Sequence, residues 1–220
     1  MLLGVGLPPI TANVSNTIGL VPGSFVGAYG YRRELAGQRT RSIQLGAASL
    51  CGGVLGAILL LTLPPAAFKA IVPVLIGLAL LLVIFGPRIS GWLENTRHAT
   101  STRVSPLMWV VTLGAGVYGG YFGAAQGVLL MGIFGLLLAE SLQRQNALKN
   151  VLAGIVNGVA AVVFVIAATD HINWLAAGLV AAGSIIGGVL GARVGRRLPP
   201  AVLRGVIVVV GIVAIVKLLA

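Results

Sequence analysis

The chain has 220 residues, of which 58% are hydrophobic and only 9% are charged, and its mean hydropathy is +1.05. Because soluble domains carry about 25% charged residues, this composition excludes a soluble protein and predicts an all-α, polytopic transmembrane helical bundle. The net charge of +11 comes from Lys and Arg in short loops between apolar segments, which indicates a topology signal rather than nucleic-acid binding.

The first 105 residues contain three apolar segments and two polar connections. In chain order we predict a span at 10–31, a basic loop at 32–41, a span at 43–63, a tight Pro-Pro turn, a span at 66–86 and a polar linker at 87–105. The first of these spans is unusually rich in Asn, Ser and Thr. Residues 1–86 are therefore predicted to form a first transmembrane repeat, joined by a cytoplasmic linker to a second repeat at 106–220.

The second repeat begins with a long apolar stretch, residues 106–139, whose middle is rich in glycine. Glycine weakens a helix by about 1 kcal/mol relative to alanine and lets the backbone bend. We predict two half-helices with a break near residues 119–123, forming a re-entrant hairpin. In lipid, a broken backbone persists only where it is buried in protein or lines a cavity, and secondary transporters bind their substrates at such breaks.

Three further spans are predicted at 146–169, 173–194 and 200–219, and the sequence around them repeats the first half. GGVLGA occurs at 52–57 and at 187–192, and LPPA occurs at 63–66 and at 198–201, so both pairs are 135 residues apart. The two halves are therefore predicted to be copies. Glycines at helical i, i+4 spacing recur in these blocks and predict close helix packing; they are Gly52 with Gly56, Gly154 with Gly158, and Gly183, Gly187, Gly191 and Gly195.

The same spacing places the first repeat's glycine-broken hairpin before Met1, so that hairpin is missing from the first repeat. Two explanations remain open: the sequence starts late, which we favour, or the protein lacks the hairpin. If the 106–139 stretch enters and leaves on one side, loops 32–41, 87–105, 140–149 and 193–199, with Arg204, place 13 of the 15 Lys and Arg in the cytoplasm. The two copies are then inverted, as in alternating-access carriers.

Polar residues and glycines within the spans are the candidates for binding a substrate, because intramembrane polar groups are costly and usually face the bundle interior. We predict a substrate-binding role for Asn13, Asn16, Gly119, Gly120, Tyr121, Gly123, Gln126, Lys149, Asn150 and Asn157. Other roles remain open for several of them: hydrogen bonding between helices for the asparagines, packing for Tyr121, and snorkelling to the headgroups for Lys149.

Metal, cofactor and catalytic sites are not expected. The chain has one cysteine, Cys51, and its two histidines, His98 and His171, lie far apart in predicted loops. No nucleophile, base and orienting group can be placed together, so an enzyme is not predicted.

Several stretches carry a family pattern. The second half contains GVYGGYFGAAQGVLL, NALKNVLAGIVNGVAAVVF and GGVLGARVGRRLPPAVLRGVIVVV, and the first half contains ANVSNTIGLVPGSFVGAYGYRREL. In these stretches the chain resembles the sulfite exporter TauE/SafE family of membrane transporters, although the family's first glycine-rich segment is missing. The resemblance implies a secondary carrier in the cell membrane that exports sulfite, a sulfonate or a related sulfur-containing anion.

The partners expected are therefore a small anionic substrate, the lipid bilayer and a second copy of the chain, with no nucleic acid. A carrier of another small solute or metal ion, or a non-transporting accessory membrane protein, are the alternatives.

Overall fold

The structure of the protein is a computed structural model that describes residues 6–64, 104–123, 126–138 and 140–194, with isolated positions at 71, 74, 77, 81, 84, 85 and 209. In these parts the chain forms helices and no strand, which confirms the predicted all-α class. The elements are α1 (Pro9–Gly30), α2 (Arg39–Thr62), α3 (Pro106–Phe122), α4 (Gln126–Leu137), α5 (Leu142–Ala167), a 3-10 turn (Thr169–His171) and α6 (Trp174–Val194).

Three described helices are long and apolar enough to cross a membrane: Arg39–Thr62, Gln143–Ala167 and Trp174–Gly191. They correspond to the predicted spans at 43–63, 146–169 and 173–194. Helix α1 is also long enough but is not among them, in keeping with its many polar residues. The predicted spans at 66–86 and 200–219 and the linker at 87–105 lie almost wholly outside the described residues.

Helices α2 and α3 run parallel and touch through glycines. A Cβ added to Gly52 would overlap the carbonyl oxygen of Leu113, one added to Gly56 would overlap that of Val117, and one added to Gly120 would overlap that of Gly53. This confirms the predicted close packing at Gly52 and Gly56. The two backbones lie against each other directly, with no side chain between them at these positions.

The second copy of the same hexapeptide is packed differently. On α6, Gly188 lies against the carbonyl oxygen of Gly23, at 2.8 Å from an added Cβ. Cβ atoms added to Gly183, Gly187 and Gly191 would meet no atom of the described residues within 4 Å. For these three glycines the predicted close packing is not found in the described part of the chain. Gly188 packs on a long helix as its counterpart Gly53 does, but Gly187 and Gly191, the counterparts of the glycines that face α3, have no described helix against them.

Helix α1 is held between α5 and α6 by polar contacts. The backbone N–H of Gly23 donates to Ser184 Oγ at 3.2 Å, and that hydroxyl donates to the carbonyl oxygen of Gly19 at 2.8 Å. On the other side, Asn157 Nδ2 of α5 donates to Ser24 Oγ at 3.2 Å. Helix α1 and α6 run parallel, whereas α1 and α5 run antiparallel.

Serine caps fix the beginnings of α3 and α5. Ser105 Oγ accepts from the backbone N–H of Met108, and Pro106 occupies the first helical turn, where proline fits well. Ser141 Oγ accepts from the backbone N–H of Arg144, so α5 begins at Leu142. The prediction that residues 140–149 form a loop is therefore wrong for most of that range: the polar residues after Ser141 are the first turns of a helix.

Candidate functional site at the helix break

The glycine-rich stretch is interrupted between α3 and α4. Helix α3 ends at Phe122, Gly123 follows with a φ of +72°, and α4 begins at Gln126. The interruption lies at the C-terminal edge of the predicted region. Gly119 and Gly120 are inside α3, so the expectation that they form the break is wrong. They are needed there because other groups lie directly against their backbone.

Gly123 is required at the break for two reasons. Its positive φ belongs to the left-handed region that favours glycine. In addition, a Cβ at this position would lie 2.8 Å from Thr17 Oγ1 and 3.7 Å from Asn13 Oδ1. The end of α3 therefore approaches the polar face of α1 more closely than any side chain would allow.

Gln126 is the most unusual polar residue at this site. Its side chain is 2% exposed, and both amide atoms, Oε1 and Nε2, are buried without a hydrogen-bond partner in the described part of the structure. A Cβ on Gly119 would overlap the amide, so Gly119 provides the space in which the amide lies. Buried polar groups are nearly always paired, so this unpaired amide is a candidate for contact with a ligand.

Two side chains of α1 face the break from the opposite side. Asn13 Nδ2 donates to the carbonyl oxygen of Tyr121 at 2.9 Å and so binds the last turn of α3. Thr17 follows at i+4 on the same face, is fully buried, and its Oγ1 has no partner among the described residues. Thr17 was not predicted as a site residue, although its spacing from Asn13 could have identified it.

We refer to Asn13, Thr17, Gly119, Gly123 and Gln126 as the break cluster. Tyr121 contributes its backbone carbonyl, and its ring packs in a hydrophobic core. No Asp, Glu, Lys or Arg belongs to the cluster. It offers amide and hydroxyl groups that can both donate and accept hydrogen bonds.

The remaining predicted site residues lie elsewhere. Ser24, the partner of Asn157, is eleven residues after Asn13, or about 16 Å along α1. The amide of Asn150 lies farther along, 3.5 Å from a Cβ placed on Gly27. Lys149 lies against Gly127, the residue after Gln126, with its Cδ and Nζ 3.3 and 3.8 Å from a Cβ placed on that glycine. Gly120 packs on α2, and Asn16 is half-buried on α1. The structure therefore brings together Asn13, Gly119, Tyr121, Gly123 and Gln126, places Lys149 beside the first turn of α4, and places Asn150 and Asn157 farther along α1.

The described residues contain no group of three or more His, Cys, Asp or Glu that could hold a metal ion. The three described helices of membrane-spanning length and apolar composition indicate an integral membrane protein. The chain belongs to the sulfite exporter TauE/SafE family, whose model matches residues 1–218. The resemblance seen in the sequence is thereby confirmed, and the chain is a membrane protein of a transporter family. Comparisons with curated proteins and with solved structures give no match.

Proposed function

We propose that the chain is a secondary transporter that exports a small sulfur-containing anion across the cell membrane, and that the break cluster binds this anion. The observation that carries the proposal is the amide of Gln126, which is buried and unpaired in the described structure. An unpaired buried amide costs about 1–3 kcal/mol on the scale of protein mutations. A ligand oxygen that accepts from Nε2 would remove this cost.

The cluster can hold an anion without a charged side chain. Gln126 is the first residue of α4, and a helix N-terminus carries the equivalent of about half a positive charge. The hydroxyl of Thr17 can donate a further hydrogen bond. In a site shielded from water these dipoles act at low dielectric, where each is stronger than in solution.

Alternating access between inverted repeats is the mechanism that we infer for this transporter. Because the copies are 135 residues apart, α1 corresponds to α5 and α2 corresponds to α6. Helix α1 packs on α6 much as α5 packs on α2, as this correspondence predicts. Gly188 contacts Val26 in the first pair, and Gly53 contacts Val159 in the second. Helices α1 and α5, which correspond to each other, run antiparallel, in keeping with an inverted relation.

A re-entrant path for α3 and α4 is supported by the two ends that lie away from the break, the beginning of α3 and the end of α4. Val104, just before α3, and Glu140, just after α4, line one common pocket beside the beginning of α2. We therefore place this end, with its basic residues, in the cytoplasm and the 3-10 turn outside. The chain then crosses the membrane several times, with the break cluster reached from the outer half.

Transport by purified protein in liposomes tests the function. Uptake of radiolabelled sulfite, thiosulfate and a sulfonate is measured with and without a proton gradient, and protein-free liposomes serve as the control. We expect saturable transport of at least one of the three anions. Transport of a divalent metal ion with none of the anions would reject the proposal.

A further inference from the structure

A second polar site lies at the far end of α3, about 25 Å from the break. It is a pocket of about 480 Å³ between the first turns of α2 and α5, and Thr40, Arg41, Gln44, Val104, Glu140 and Arg144 line it. We call it the arginine pocket. Small-molecule sites have volumes of about 300–1,000 Å³, so the pocket is large enough for a small anion together with water.

Arg41 is buried in the wall of this pocket. Its side chain is 8% exposed, and its Nη1 donates to Glu140 Oε1 at 2.9 Å and to Gln38 Oε1 at 3.3 Å. Its Nε is buried and has no hydrogen-bond partner in the described residues. A buried cationic donor without an acceptor is costly. The guanidinium is therefore incompletely satisfied by the protein groups around it.

Glu140 lies between two arginines. One carboxylate oxygen accepts from Arg41, and the other accepts from Arg144 Nε at 2.6 Å. Burial raises the pKa of Glu140, but the hydrogen bonds from the two arginines outweigh it and hold the pKa below its usual range. The carboxylate is thus ionised, and two guanidinium groups share one negative charge.

The backbone at Glu140 is held by contacts that do not involve its carboxylate. The carboxylate is 23% exposed, so it has a path to solvent. Its backbone carbonyl accepts from Gln145 Nε2 at 3.0 Å, and the same amide donates to the carbonyl of Leu138 at 3.3 Å. The segment between α4 and α5 is therefore anchored independently of the ion pair.

We propose that the arginine pocket is a binding site for a small oxyanion, such as sulfite or sulfate, which replaces the Glu140 carboxylate on Arg41 and Arg144. Sulfur oxyanions present two or more oxygens and suit the planar guanidinium fork. Binding would also break the ionic link between α2 and the α4–α5 connection. The choice of sulfite rests on the proposed function, whereas the oxyanion site itself rests only on the pocket.

Equilibrium binding of radiolabelled sulfate and sulfite to the purified full chain in detergent tests this site. All variants carry Gln126→Ala, so that the break cluster contributes little. Glu140→Gln removes the competing carboxylate and is expected to tighten sulfate binding about tenfold or more, since hydrogen bonds to charged groups are the strong ones. Arg41→Gln is expected to weaken it about tenfold or more. Arg39→Gln, the same charge change at an exposed neighbouring position, serves as the matched control.

Equal binding by Arg41→Gln and Arg39→Gln would overturn the proposal and leave the ion pair as a purely structural contact. Unchanged sulfate affinity in Glu140→Gln would do the same. If Glu140→Gln does not accumulate in the membrane, Arg41→Lys decides, because it keeps the charge but loses the Nε donor and should weaken binding. Binding that persists in Gln126→Ala and is lost with Arg41→Gln supports the pocket even if sulfite is never transported.

Discussion

Replacing Gln126 with alanine separates a binding role from a structural role. The amide has no hydrogen-bond partner in the described structure, so its removal breaks no protein hydrogen bond. We therefore expect the melting temperature of the purified protein to stay within a few degrees of wild type, as lost packing is offset by relief of an unpaired amide. Substrate affinity should fall, because an amide lost from a hydrogen-bonded site costs about 1–3 kcal/mol, or about 5- to 150-fold.

Gln126→Glu extends the test to the charge of the substrate. The carboxylate replaces an amide donor with a negative charge at low dielectric, where it repels an anion. In concentration-dependent uptake by proteoliposomes, we expect apparent affinity in the order wild type, then Gln126→Ala, then Gln126→Glu. Gln143→Ala, an exposed glutamine on the first turn of α5, is the control and should match wild type. Equal or better transport by Gln126→Glu than by Gln126→Ala would refute the anion site.

Gly123→Ala should lower sulfite uptake by about tenfold or more and should also lower the melting temperature, because strained backbone costs about 1–3 kcal/mol. Gly114→Ala, where an added Cβ meets open space, is the control and should change neither quantity. In a cysteine-free background, a cysteine at Asp170 should react with an impermeant reagent applied to intact cells, whereas one at Ala36 should not; the reverse pattern would contradict the proposed topology. Because the pKa of Glu140 is lowered, its ion pairs contribute stability that is present above pH about 4.5 and lost as the pH falls through the lowered pKa. The melting temperatures of wild type and Glu140→Gln should therefore differ by a constant amount from pH 8 to 5 and converge in stronger acid. A difference of the same size in strong acid would show that it does not come from the ion pairs.

The break and two of its polar residues could be predicted from sequence because they depend on local chemistry. A glycine-rich interruption in an apolar stretch, and an amide at its edge, are visible without any tertiary contact. The roles of the individual glycines could not be predicted from sequence. Gly119 provides space for an amide, Gly120 packs on α2, and Gly123 has the positive φ. These three uses share one residue type, and only backbone geometry distinguishes them.

Residues that depend on the relative position of two helices were harder to predict. Asn157 is polar and intramembrane like Asn13, yet it contacts α1 about three turns farther along. The contact of Arg41 with Glu140 joins residues 99 positions apart in the sequence. For the positive-inside rule, Arg41 is simply one of several basic residues in loop 32–41. Nothing local distinguishes a buried, paired arginine from a solvated one.

The two copies of GGVLGA differ in the space around their glycines. In α2, Gly52 and Gly56 face the backbone of α3, so even one added methyl group would push two helices apart. In α6, the corresponding Gly187 and Gly191 meet no described atom where that methyl would lie. Identical letters therefore differ in packing within the described part of the chain: alanine at Gly52 or Gly56 would displace α3, whereas alanine at Gly187 or Gly191 would meet no described atom.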